Sequence, residues 1–326
     1  MLLRIEHRFA FAYDSYISES FLELRVQPKP TPAQTVRGFR LEVGPSTRVY
    51  RYRDWNDNLA HHFTITKFHD RIEVVSRSVV ETRPVAVSLE ALDTPPGGDQ
   101  GDWSLRDFRQ LDGPIRPSPA LREAHRAIGA PKTAAVGEQV RALSALLRRE
   151  FVYRQDVTRY DSTTEDFLTL RAGVCQDFAH LALALLRMRG IPSRYVSGYL
   201  HVERTPEGPP AQSHAWVEIY APSAGWVPFD PTHGMVPDER YVVVGHGRHY
   251  DDVPPNRGIY RGAARESLVA AVYTEVARVQ AGSAFQEEMA SIDLPAFTEL
   301  PHRRPERPSL PYDAAEEAEQ QQQRQQ

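Results

Sequence analysis

The sequence predicts an α+β protein: an N-terminal antiparallel β domain of sandwich type, then helices, then a second antiparallel sheet. Three observations lead there. Apolar and polar residues alternate with period two from Met1 to about Thr82. Apolar spacing then changes to three and four, in SPALREAHRAIG and GEQVRALSALLRREFVY. After Gly190 the alternation returns.

In the first stretch, LLRIEHRFAF, SFLELRVQP, VRGFRLEVGP, RVYRYRDW, AHHFTITKFH and RIEVVSRSVVE read as short strands. Pro, Gly, Asn and Asp punctuate them, as in a sandwich or barrel. DTPPGGDQGDW interrupts the rhythm and reads as a linker. The expected organisation is a β domain over 1–92, a linker over 93–105, a second domain over 106–280, an extension over 281–300 and a tail over 301–326. The tail contains RRPERP and DAAEEAEQQQQRQQ, too polar to offset the entropy of ordering, and is expected to be disordered.

Within the second domain, Val140, Leu143, Leu146, Leu147 and Phe151 mark one helix face. Ser162-Thr163-Thr164-Glu165-Asp166 reads as the capped start of a short helix. A long apolar helix is expected from about Val174 to Met188, ending at Gly190 with Pro192 beyond. SRYVSGYLHVE, SHAWVEIYAP, GWVPFDPTHG, RYVVVGHGRHY and SLVAAVYTEVARV follow as strands.

The chain has 326 residues and a formal charge of −4, with scattered arginines, which argues against a nucleic-acid partner. A single cysteine excludes an intramolecular disulfide framework or a multi-thiolate zinc site. The N-terminus alternates rather than showing a signal peptide, and no stretch reaches the roughly 18 apolar residues of a membrane span. A soluble, cytoplasmic protein is expected.

Cys175 lies in RAGVCQDFAHLALALLRMRG, where a glycine turn enters the apolar helix. Unpaired N–H groups and the helix dipole favour a thiolate at such a position. A cysteine nucleophile needs a base, and the base needs an orienting group. SHAWVEIY and GWVPFD flank Ala221-Pro222-Ser223-Ala224, which reads as a hairpin turn. A hairpin symmetric about Pro222 sets His214 directly opposite Asp230, Trp216 opposite Pro228 and Glu218 opposite Trp226. Ala215, Val217, Ile219, Val227 and Phe229 then form an apolar core face. Taken singly, each residue has an ordinary structural explanation: free cysteines are often buried, strand histidines pack, and aspartate before proline starts turns. Their conjunction points to catalysis.

GVCQD entering an apolar helix, followed by SHAWVEIY and GWVPFDPT, resembles the bacterial transglutaminase-like family of the papain-like cysteine-enzyme superfamily. FLELRVQP and AHHFTITKFH resemble that family's N-terminal β domain, and YDDVPPNRGIYRG its C-terminal signature. The resemblance implies a cysteine helix packed on an antiparallel sheet, with Cys175 as nucleophile, His214 as general base and acid, and Asp230 as the orienting carboxylate. His249 stands where the family pattern carries aspartate, a position expected to line the cleft. The Cys175 N–H is one expected oxyanion donor, and Gln176, Trp216 and Tyr153 are candidates for a second or for the cleft wall. Asp177 is a candidate helix cap or arginine anchor.

The expected reaction is acyl transfer on an amide or peptide bond through a thioester, with hydrolysis as the outcome. Transglutaminase-type cross-linking or transamidation is one alternative, and a non-catalytic peptide-binding scaffold the other. No cofactor and no metal are expected. His61 and His62 point to opposite faces of a strand. His246 and His249 lack a completing carboxylate cluster. No calcium-type carboxylate cluster is visible, and Gly245 and Gly247 lack the Lys and Ser or Thr of a phosphate loop. The expected partner is a peptide or protein amide substrate, with oligomeric state left open.

Overall fold

A computed structural model describes residues 1–84, 87–96, 102–203 and 213–277. The C-terminal extension and the tail lie outside these residues, as does part of the linker.

Strands β1 (Leu2–Ile17), β2 (Glu19–Leu24), β3 (Gln34–Gly44), β4 (Tyr50–Arg53), β5 (Leu59–Ile65) and β6 (His69–Thr82) occupy the stretch predicted to be all strand. Then come α1 (Pro119–Arg126), α2 (Val136–Glu150), β7 (Val152–Tyr153), α3 (Thr164–Leu170), β8 (Ala172–Gly173) and α4 (Cys175–Arg187). The chain continues with β9 (Ser193–Leu200), β10 (His214–Ala221), β11 (Gly225–Phe229), β12 (Tyr241–Gly247), β13 (Asn256–Arg261) and β14 (Glu266–Val276). The predicted α+β class holds.

Among the described residues these form three four-stranded sheets, in the orders β14-β1-β6-β3, β13-β2-β5-β4 and β11-β10-β9-β12, and the two-stranded β7-β8 pair. Strand β1 organises them. Its alternation buries Leu3, Ile5, His7, Phe9, Phe11 and Tyr13 on one face. Phe9, Phe11 and Tyr13 pack against Leu22, Leu24, Phe63 and Ile65 of the second sheet. Leu3 and Ile5 instead meet Tyr199, Val242 and Val244 of the third. One long strand thereby serves two cores.

SLVAAVYTEVARV was expected within the 106–280 segment, but its strand β14 returns to the N-terminal sheet, pairing from Leu3↔Val276 to Tyr13↔Glu266. Strand β13 likewise pairs with β2. Alternation along a segment identifies a strand but carries no information about its partner, which long-range packing selects.

Helix α4 is apolar around its circumference except at His180, and correspondingly buried from Phe178 to Leu186. It packs among Val140, Leu143 and Leu147 of α2, Phe167 of α3, and Ala215, Val217 and Ile219 of β10. This puts the cysteine helix on the antiparallel sheet. No helix among the described residues is long and apolar enough to cross a membrane.

Candidate active site

Helix α4 begins at Cys175 because its first turn is capped from within. Asp177 reaches back to accept the Val174 N–H at 2.8 Å and also accepts the Thr158 hydroxyl at 2.7 Å. Valine has no side-chain acceptor, so only the return half of a capping box exists here. Gly173 makes room for it: a Cβ there would lie 2.4 Å from Asp177 Oδ2. Of the two roles expected for Asp177, the structure selects the cap. The Asp177 and Phe178 N–H groups both bond to Val174 O, at 2.9 and 3.2 Å. Cys175 and Gln176 N–H are the first-turn donors left without a bond among the described residues.

The hairpin delivers the next two residues, in a register that differs from expectation. Its ladder pairs Val217↔Phe229, Glu218↔Pro228, Ile219↔Val227 and Ala221↔Gly225. His214 is therefore not directly opposite Asp230. The loop contains three residues, closed by Ala224 N–H to Ala221 O at 3.1 Å, and Gly225 follows at φ +70°. Such a turn with a left-handed glycine moves the partner strand by two positions. An even displacement keeps every side chain on its face, so the apolar set remains core and His214 still shares a face with Asp230. The two meet diagonally, with His214 Nε2 2.8 Å from Asp230 Oδ2.

Asp230 is fully buried and saturated. His233 Nδ1 lies 2.7 Å from Oδ2, the Tyr241 hydroxyl donates to the same oxygen at 2.8 Å, and the Thr232 and His233 N–H groups donate to Oδ1 at 2.8 and 3.3 Å. Burial works against its charged form, but the hydrogen bonds from His214 and His233 outweigh it and hold the carboxyl well below the usual range. Burial also opposes charge on His214. Hydrogen bonds with Asp230 and with Cys175 prevail, and its pKa rises to about 10. With Nε2 committed to Asp230, the other ring nitrogen is the one available to Cys175.

Cys175, His214 and His233 border one cleft of about 780 Å³. Tyr153 and Gln176 also line it. Tyr153 is half exposed, whereas the Gln176 amide donates to Tyr160 O at 2.8 Å. Trp216 does not join the wall: only 1% exposed, its ring lies edge-on to Tyr241 and stacks near His214. An indole on the His214 side of the strand supports the imidazole from behind. His249 also departs from expectation. It is buried away from the cleft, accepting the Asp251 N–H at 3.3 Å and filling the space beside Gly113. His246 pairs with Glu218 at 3.3 Å, and His61 and His62 pack on Phe39 and Tyr50 respectively.

Sequence reasoning missed His233 and Tyr241. A signal existed for the first, since an aspartate that accepts N–H groups two and three residues on folds residue 233 back over itself. None existed for Tyr241, which arrives from β12. His214, Asp230 and His233 lie close enough to suggest metal ligation. Both imidazole nitrogens near Asp230 Oδ2 face an acceptor-only carboxylate, so both carry protons and neither presents a lone pair there.

Most of the chain is similar to known proteins. Residues 122–231 match the transglutaminase-like superfamily, and residues 3–81 match the bacterial transglutaminase-like N-terminal region. An uncharacterized protein of Mycobacterium leprae is 35% identical over 280 residues, 82% of this chain and 95% of that one. The chain belongs to the transglutaminase-like superfamily. A structure of a proposed cysteine protease from Cytophaga hutchinsonii shares the transglutaminase-like fold, with a TM-score of 0.70 at 22% identity over 86% of this chain and 92% of that one. A protein-glutamine gamma-glutamyltransferase of Pseudomonas aeruginosa is 29% identical over 158 residues, 41% of this chain and 24% of that enzyme. Transglutaminase-like proteins are typically cysteine-dependent enzymes.

Proposed function

We propose that the protein is a cysteine-dependent acyl-transfer enzyme that cleaves an amide or peptide bond, with water as the usual acceptor. The observation that carries this reading is the His214 Nε2 to Asp230 Oδ2 hydrogen bond of 2.8 Å beside a cysteine that opens a helix. Cys175 passes its proton to His214 as its sulfur attacks the carbonyl carbon, and the developing oxyanion is received by the Cys175 N–H. Gln176 N–H is a second donor on the same turn. His214 gives its proton to the departing amine, leaving a thioester. It then takes a proton from water as the water attacks, and returns it to the departing Cys175 sulfur, releasing the acid and restoring the thiol. Asp230 keeps the imidazole in one orientation throughout.

Hydrolysis is favoured by access: Cys175 is partly exposed, and Tyr153 and His233 on the same cleft are about half exposed, so water reaches the thioester. Transamidation is the second reading, supported by the partial match to a protein-glutamine gamma-glutamyltransferase. Incubation with a glutamine-containing peptide and a fluorescent amine separates the two. Acid release exceeding amine incorporation, lost in Cys175→Ala, is the expected result, and the reverse ratio selects transamidation. A protein that forms neither product, and whose Cys175 resists iodoacetamide at neutral pH, is a scaffold.

A further inference from the structure

We propose that the N-terminal sheet forms the specificity wall of the Cys175 cleft and selects acyl donors with apolar, uncharged side chains. The proposal rests on the acyl-transfer reading and deepens it by naming the substrate class. Its basis is where the sheet is left uncovered. On one face of β1 and β14, His7 pairs with Val272, Phe9 with Ala270 and Phe11 with Leu268. Toward the start of β1, that face is covered by Tyr199, Val242 and Val244, and toward its end by the second sheet. Between these covers, on the β14 side, exposed Leu268 and Ala270, together with buried His7, Phe9 and Val272, line the cleft that holds Cys175 and His214. Leu268 is 40% exposed there. The apolar face is continuous with the reacting centre.

Carboxylate, ammonium and guanidinium side chains are missing from this cleft. A quarter of the chain is Asp, Glu, Lys or Arg, yet none of these lines the cleft among the described residues. The one basic group on the sheet wall is His7, and burial keeps it neutral, with a pKa near 3. Its Nδ1 lies 3.1 Å from the Tyr199 hydroxyl. The phenols of Tyr195 and Tyr250, also on the cleft lining, are likewise held protonated, chiefly by burial. An ionised substrate side chain set against the sheet wall loses water and finds no counter-charge on it. An apolar one gains by leaving water against Leu268 and Ala270.

The test uses the full chain and three tripeptidyl chloromethyl ketones that carry Leu, Asp or Lys before the ketone. Each alkylates Cys175 by forming an S–C bond with loss of chloride, followed by intact mass. Every rate is divided by that of iodoacetamide on the same preparation, so loss of folded protein cancels. The Leu reagent should exceed both charged reagents by about tenfold or more. Leu268→Lys should shift the ratio toward the Asp reagent, and Ala270→Asp toward the Lys reagent. Equal labelling by all three reagents, or ratios unmoved in both variants, overturns the wall while leaving the acyl-transfer reading intact. If iodoacetamide itself leaves Cys175 unmodified, that reading falls and the wall with it.

Discussion

His233 and His214 share a single carboxylate oxygen: their Nδ1 and Nε2 atoms lie 2.7 and 2.8 Å from Asp230 Oδ2. The shared acceptor couples the exposed imidazole of the cleft rim to the buried one beside Cys175. Each hydrogen bond draws on the same lone pairs, so His233 tempers the hold of Asp230 on His214. Partners of this kind, acting through another residue, change activity by roughly 10- to 100-fold when removed. His233→Ala should lower kcat within that range, with KM little changed, and should shift the pH-rate profile. His233→Asn, which restores a donor, should recover part of the loss. Steady-state kinetics across pH checks both.

The His214–Asp230 pair also makes stability depend on pH, with opposite signs for its members. The folded pKa of His214 lies near 10, above the unfolded value of 6.5. Its contribution is complete below pH 6.5 and is lost as pH rises through about 10. Asp230 is depressed below 3.8, so its contribution is present above that value and lost as pH falls further. Urea unfolding of wild type and His214→Ala should therefore show a stability difference that shrinks between pH 6.5 and 10. A difference constant over that window contradicts the assigned shift.

Gly198 stands opposite His214 on β9, and its missing side chain is occupied by Trp216. A Cβ at 198 would lie 2.5 Å from Trp216 Cη2 and 2.1 Å from Val242 O. Gly198→Ala should destabilise by about 1–3 kcal/mol through overpacking. It should also reduce activity in the protein that remains folded, because Trp216 backs the His214 ring. Thermal melts with active-site titration test this, and Trp216→Phe in the same background should relieve part of the strain.

The cap of α4 is a further point of leverage on Cys175. Asp177→Ala removes the acceptor for Val174 N–H and should cost about 1–2 kcal/mol, read from the urea midpoint. Because the cap aligns the first turn, Cys175 alkylation should slow as well. Thr158→Ala removes a donor to Asp177 but leaves the cap, and should have the smaller effect on both measurements.

Much of this site was legible along the chain because its signals are local. A glycine turn entering an apolar segment locates Cys175 at a helix start, and Thr163 with Asp166 caps α3 by the expected reciprocal bonds. The hairpin illustrates the limit. Alternation sorted its faces correctly, but the three-residue loop closed by Gly225 set the pairing two positions away from the symmetric guess. Only an odd error would have separated His214 from Asp230, since side chains repeat every second residue.

Residue types and periodicity thus determined which chemistry the chain can hold and which faces are apolar, because both depend on neighbours within a few positions. Contacts across the chain followed other rules. Tyr241 reaches Asp230 from β12, Trp216 turns into the space at Gly198, His249 is buried beside Gly113, and β14 crosses back to β1 to build the cleft's apolar wall. Each of these is settled by which surfaces exclude water together and which donors remain unpaired when they do, conditions that arise only once distant segments have packed.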